Sequence, residues 1–354
     1  MTAQRYAYQD LLTFSSQLLT RAGLPQVRAE VVARQFLEAD LLGYSTHGVQ
    51  RLPSNCDWLL KGETNPDGRH IVLHATRSCE TWDADFLPGP WVAVQAVDRA
   101  CEMAADNGSG AVVVRRTQHV ACLASYLERA TDRRMMVMIT VSTPAEAVVA
   151  AHGGLTPIFS CNPLAAGIPA GETPILIDTT LAMSAQGPMN RAHRQGTILP
   201  YPMIVRPDGD VSANPADFAA GGAILPLGGI EQGYKGTGLA FLTEALTAAL
   251  GGFGRADGAE TGEANALIVQ VVDPAHFAGR AAFEYEMRFL AERCRASRVA
   301  PGSDPVRVPG DRALMFKREQ LRDGVRLLDL IVDDIRPWAE RLDCSFPVPI
   351  ARYG

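Results

Sequence analysis

Gly108-Ser109-Gly110-Ala111-Val112-Val113-Val114-Arg115-Arg116-Thr117-Gln118-His119 is the stretch on which the fold reading turns. Its apolar run, residues 111–114, is mostly β-branched, which suits a strand buried in a covered sheet. A glycine pair beside such a strand invites a dinucleotide-binding reading. That fingerprint must follow its strand and open a helix, so that helix N–H groups meet the pyrophosphate. Here Gly108-Ser109-Gly110 precedes the strand and closes the helical stretch 92–107, which is the position of a helix C-cap. The chain therefore reads as α/β without a Rossmann signal. The strand ends in Arg115-Arg116-Thr117-Gln118-His119, and such loop positions often carry ligand contacts.

Working outward, residues 8–42 read as helices broken at Gly23-Leu24-Pro25. Short strands are expected at 71–74 and 79–83, a helix at 123–131 and strands at 135–141 and 175–178. Residues 153–238 are loop-rich and thick with proline. A helix follows at 239–250, a strand at 266–272, an amphipathic helix at 277–298 and a helical tail at 325–342. Helices at both ends around a mixed centre predict a helical domain from residues 1–75 plus 310–354, with an α/β domain, 76–309, inserted in it.

Composition narrows the function classes. The 354 residues are 47% hydrophobic and 20% charged, with net charge -6. No apolar run is long enough for a membrane helix, no signal-peptide core precedes residue 8, and no basic run suggests nucleic acid. The seven cysteines are scattered without a C-x-x-C pair, so reduced thiols in a cytoplasmic protein are the expectation. His70 and His74 lack an acidic partner spaced to complete a metal site, and no metal is expected.

The chemistry concentrates in Glu38-Ala39-Asp40-Leu41-Leu42-Gly43-Tyr44-Ser45-Thr46-His47-Gly48-Val49-Gln50-Arg51. His47 titrates near neutrality and can give or take a proton. Arg51 offers a planar fork suited to a carboxylate. Together they are the equipment for reducing a 2-oxo or 2-imino acid, although a capped turn with a solvated histidine fits the same letters. Asp178, ending a strand, could orient His47, bind a ribose hydroxyl or simply cap a helix. Gly233-Tyr234-Lys235-Gly236-Thr237-Gly238 is expected to open the helix from Leu239 and cradle a phosphate, with a plain tight turn as the alternative.

These residues, taken in order, resemble the malate/L-lactate dehydrogenase family of the sulfolactate dehydrogenase type. The resemblance runs through Thr46-His47-Gly48-Val49-Gln50-Arg51, Arg116-Thr117-Gln118-His119, Ser160-Cys161-Asn162-Pro163-Leu164, Asp178 to Ser184 with Gly187 beyond, Gly233 to Leu239, and Arg307-Val308-Pro309-Gly310. It implies a non-Rossmann fold, a homodimer and NADPH- or NADH-dependent reduction of a small acid. It further implies that His47 is the proton donor, Thr46 and Asp178 its relay, and Arg51 and His119 substrate partners. Asp178, Thr179, Thr180, Leu181, Ala182, Met183, Ser184, Tyr234, Lys235, Pro309, Gly310 and Asp311 would hold the cofactor. Four departures, Thr46 for serine, Val120-Ala121 after His119, Ser160-Cys161 and Asn55, bear on substrate choice. They also leave open a cofactor-binding regulatory or structural subunit without catalysis.

Overall fold

Residues 109–117 sit near the middle of a seven-stranded sheet in the computed structural model, which describes residues 3–257 and 263–350. The order across the sheet is Ile71–Ala75, Cys79–Asp83, Ser109–Thr117, Asn265–Val272, Met136–Ser142, Leu164–Ile168 and Ile175–Thr179. Only Cys79–Asp83 beside Ser109–Thr117 is a parallel pair; every other neighbour runs antiparallel. A doubly wound nucleotide sheet is parallel because each strand is followed by a crossover helix. The sequence reading of a non-Rossmann α/β chain therefore agrees with this topology.

The helix Gly89–Asn107 covers one face, burying Val92, Ala96, Val97, Ala100 and Ala104 in one cluster with Val112, Val114, Val137, Ile139 and Val269. Gly108 ends it with φ +82° and an N–H bond to the Ala104 carbonyl at 2.8 Å. At Gly110 a Cβ would lie 2.3 Å from the Ala100 carbonyl oxygen, so glycine lets strand and helix touch backbone to backbone. The predicted C-cap is what these two glycines build.

A second core joins the two ends of the chain. Leu11, Leu18, Leu19, Phe36, Leu37 and Leu52 pack with Val325, Leu327, Ile331, Val332 and Ile335. Its helices are Tyr8–Arg21, Gln26–Leu41, Leu52–Leu60 and Asp329–Arg341. Two details differ from the sequence reading. Ala3–Tyr6 is a strand paired antiparallel with Val325–Leu328, so the first residues of the expected helical tail are extended. Likewise 123–131 holds a 3₁₀ turn, Leu123–Tyr126, before a single helical turn, Glu128–Thr131.

The proline-rich span contributes most of a small five-stranded sheet of two- and three-residue strands and the helix Gln186–Arg194. The largest correction falls at its end. The helix expected from Leu239 begins ten residues earlier, at Gly229, runs to Glu244 and passes into a π turn at Ala245–Ala249. Gly233 to Gly238 is thus helix interior, not a helix start. A Cβ at Gly236 would meet the Leu227 nitrogen at 2.4 Å, and one at Gly233 the Pro226 ring at 2.8 Å. These glycines serve close packing of the helix on the 225–228 segment. Among the described residues, no helix is long and apolar enough to cross a membrane.

Candidate active site

The helix Gln26–Leu41 stops at Gly43, whose φ of +89° turns the chain into two short 3₁₀ turns, Ser45–His47 and Val49–Arg51. Asp40, on the helix's last turn, lies fully under this loop and accepts the Val49 N–H at 2.8 Å. A Cβ at Gly48 would sit 2.2 Å from Asp40 Oδ1, so only glycine leaves room for the carboxyl. Burial pushes Asp40 up to about 8, against the opposing Val49 N–H and Arg191. Near neutral pH this buried acid keeps its proton.

The loop presents His47 to a cleft of about 280 Å³. Thr46 Oγ1 and His47 Nδ1 share a hydrogen bond of 2.9 Å, which fixes the ring and leaves Nε2 for other work. Burial, with Arg51 and Arg191 nearby, pushes His47 down to about 4, so the free protein carries it neutral. His119 stacks on it, ring centres 5.6 Å apart and planes 21° apart. His119 Nδ1 accepts the Ala121 N–H at 3.0 Å, which in the neutral ring assigns the proton to Nε2. Burial holds His119 well below the ordinary histidine range, Arg51 and His47 adding to the effect. Ala121 takes φ +59° between them, a left-handed conformation that a glycine would adopt without strain.

Arg51 lines the same cleft and reaches Glu263 Oε1 with Nη2 at 3.3 Å, while its buried Nε has no partner among the described residues. Asp178, at the end of Ile175–Thr179, also faces the cleft. It accepts the Ala124 N–H at 2.8 Å and the Cys122 thiol at 3.3 Å, and burial pushes it up to about 6. Among the described residues it makes no hydrogen bond to Thr46 or His47. Thr46 is in place as the ring's partner; Asp178 instead pins the 122–124 turn beside it.

The remaining cofactor candidates divide. Thr179 and Thr180 line the cleft, whereas Leu181 and Ala182 are buried in its supporting wall and Met183 and Ser184 lie beyond it. Tyr234 and Lys235 lie on the exposed face of their helix, Lys235 Nζ 5.8 Å from the Tyr234 ring centre. Gly310 packs on Leu176, Pro309 accepts the Leu176 N–H at 3.1 Å, and Asp311 pairs with Arg295. None of these last five residues lines the cleft. Tyr44, Glu146, Glu263 and the first turn of the Gln186–Arg194 helix do; of these the sequence reading gave no role to Tyr44, Glu146 or Glu263, and named only Gly187 from the helix turn. Glu146 had a readable signal, since it follows the strand Met136–Ser142 just as His119 and Asp178 follow or end theirs.

The profile of the malate/L-lactate dehydrogenase family matches residues 6–336. The chain belongs to this family. It is 27% identical over 340 residues to a malate dehydrogenase of Pyrococcus horikoshii, covering 94% of each chain. It is also 27% identical over 333 residues to a Δ1-pyrroline-2-carboxylate/Δ1-piperideine-2-carboxylate reductase of Pseudomonas syringae, covering 91% of this chain and 92% of that one. The solved sulfolactate dehydrogenase of Methanocaldococcus jannaschii superposes with a TM-score of 0.86 at 25% identity, covering 97% of this chain and 98% of that one. The family member described here is accordingly an oxidoreductase, which removes the reading of a merely structural subunit.

Proposed function

We propose that the protein is an NAD(P)H-dependent reductase or dehydrogenase acting at C2 of a small 2-oxo, 2-hydroxy or 2-imino acid. The observation that carries this reading is the single cleft shared by His47, His119 and Arg51, with Thr46 on the histidine's far nitrogen. The cleft suits a nicotinamide. Gly187 lies where a Cβ would come within 3.2 Å of Thr46 Cβ, and Ala185, the N-cap residue of the Gln186–Arg194 helix, offers no side-chain cap to its first turn. When bound, the reduced nicotinamide supplies a hydride to C2, and the C=O or C=N electron pair moves onto the heteroatom. Thr179, Thr180 and Gln186 to Pro188 border that position. Lys235, which forms no ion pair among the described residues, would meet a phosphate farther along, as would the turn at Pro309, Gly310 and Asp311.

Arg51 holds the acid's carboxylate, and His47 gives its proton to the oxygen or nitrogen as the pair arrives there. In the free protein His47 is neutral, so it must charge first. Burial is the main cause of its low pKa, and the incoming carboxylate offsets the Arg51 and Arg191 charges that add to it. In the oxidative direction the neutral ring is already the base. His119, with its Nε2 proton and its stacked position, is the second candidate donor. Val49 and Leu52, on either side of Arg51, pack in the core shared by the two ends of the chain, which supports a helical unit from residues 1–75 and 310–354 set against an α/β unit of 76–309. A cytoplasmic homodimer completes the reading.

NAD(P)H absorbance with pyruvate, oxaloacetate, 3-sulfopyruvate and Δ1-piperideine-2-carboxylate, and NAD(P)+ reduction with ureidoglycolate, test it directly. At least one pair should turn over with a clear preference for one cofactor. No turnover with any C2 acid in either direction would discard the proposal.

A further inference from the structure

The wall of the cleft carries one cation, Arg51, and three acids, Asp178, Glu146 and Glu263, among the described residues. Asp178 is taken up by the Ala124 N–H and the Cys122 thiol. Glu146 gives its backbone carbonyl to Arg255 Nη1 at 2.6 Å, but its carboxyl accepts no hydrogen bond among the described residues. Burial and then the neighbouring Glu263 push Glu146 up to about 7, outweighing the pull of Arg51 and Arg255. Glu263 reaches Arg51 at 3.3 Å. The arginines behind the wall are committed elsewhere. Arg255 pairs with Glu244 at 2.9 Å, Arg191 bonds to Ser45 at 3.2 Å and Gln50 at 2.8 Å, and neither lines the cleft.

A substrate carboxylate that takes Arg51 uses the only permanent cation of the lining among the described residues, and a charged His47 is committed to the reacting C2 end. A second acid group on the same molecule would then face Glu263 and a Glu146 that is part ionised near neutral pH, in a partly desolvated site where like charges repel strongly. A hydrogen-bond donor at that end would instead find two acceptors, one of them unpartnered. Resting on the C2-acid reading above, we infer that Glu146 and Glu263 select an acid whose far end carries a hydrogen-bond donor, a carboxamide or an ammonium group, and reject one ending in a second acid group. The chain would thereby part from its malate and sulfolactate relatives, whose named substrates both end in an acid. Discrimination arises as much from the repelled group as from the accepted one.

The test compares kcat/KM for 2-oxosuccinamate and oxaloacetate, which differ only in an amide for a carboxylate, with pyruvate as common reference. The amide should win by roughly tenfold or more. In the Glu146→Gln, Glu263→Gln double variant that ratio should fall at least about fivefold. Because a ratio is read, any general gain from freeing Arg51 cancels. Should the double variant fail to show a native melting curve, Glu146→Gln alone carries the test, since its carboxyl holds no hydrogen bond. Oxaloacetate turned over as well as or better than the amide by the wild type would overturn the inference while leaving the C2-acid reading intact. So would an amide preference that the variants leave unmoved. Failure of all three substrates, together with the wider panel, would remove the underlying reading and this one with it.

Discussion

In the loop that carries His47, glycine makes room for a buried carboxyl; in the helix Gly229–Glu244, glycine makes room for a neighbouring backbone. Gly48 leaves space for Asp40 Oδ1, which a Cβ would crowd at 2.2 Å, and Gly236 leaves space for Leu227, crowded at 2.4 Å. Both stretches mix glycine with a basic residue and a hydroxyl, and as letters they are hard to tell apart. The first is a turn whose every residue is aimed: Thr46 on the ring, His47 at the cleft, Arg51 beside it. The second is a packed helix with one charge on its outer face. Glycine spacing thus reports that something comes close, and the fold decides whether that is ligand or protein.

Five substitutions and one titration probe this contrast, given from the largest expected effect to the smallest. Gly48→Ala should cost ~3 kcal/mol or more of stability and remove turnover, because its Cβ displaces the Asp40 carboxyl from beneath the loop. Chemical denaturation and a turnover assay check it; a stable, active variant would show that the loop yields freely. The titration concerns Asp40 itself. An acid whose folded pKa is raised to about 8 from 3.8 keeps a proton that the unfolded chain releases, so stability falls as pH rises through that window. Asp40→Asn should escape that fall, which is at most about 6 kcal/mol by the rule of about 1.4 kcal/mol per pKa unit. Parallel stability–pH curves for the two proteins would contradict the assignment.

His47→Ala should lower the chemical step about a hundredfold, the ordinary share of a positioned proton donor. His119→Gln should cost less, about tenfold. If His119→Gln proves the more damaging in single-turnover measurements, the two stacked rings exchange roles. Gly236→Ala is expected to cost ~2 kcal/mol through the Leu227 clash, with KM for the acid substrate little changed. An unchanged melting temperature would mean that the helix can lift off its neighbour. Lys235→Ala sits at the bottom. Its stability should stay within ~0.5 kcal/mol of wild type, as for most exposed positions. The dissociation constant for NAD(P)H should rise about tenfold if the side chain contacts a phosphate. Titration showing affinity for both cofactors unchanged from wild type would take this helix out of the cofactor's reach.

The strand 109–117, the glycines that end the helix before it and the His47–Arg51 loop were legible because local rules govern them: β-branching, a left-handed cap, a side chain's pKa. The helix start near Gly233 was misread because a glycine that packs and a glycine that cradles obey the same backbone freedom. Val325–Leu328 passed for helix because its partner, Ala3–Tyr6, lies at the other end of the chain, and pairing rather than propensity makes it a strand. Asp178 lines the cleft, yet the Cys122 thiol and the Ala124 N–H that occupy it come from a turn that no spacing announces. The meeting of Glu146 with Glu263 is equally tertiary.

Arg191 bonds to Ser45 and Gln50, one on each side of His47, from a helix whose first turn borders the cleft. One guanidinium therefore ties both shoulders of the loop to that helix. The aim of the imidazole depends on where the helix sits, so a substitution that shifts the cleft's edge would be felt at the ring without touching it.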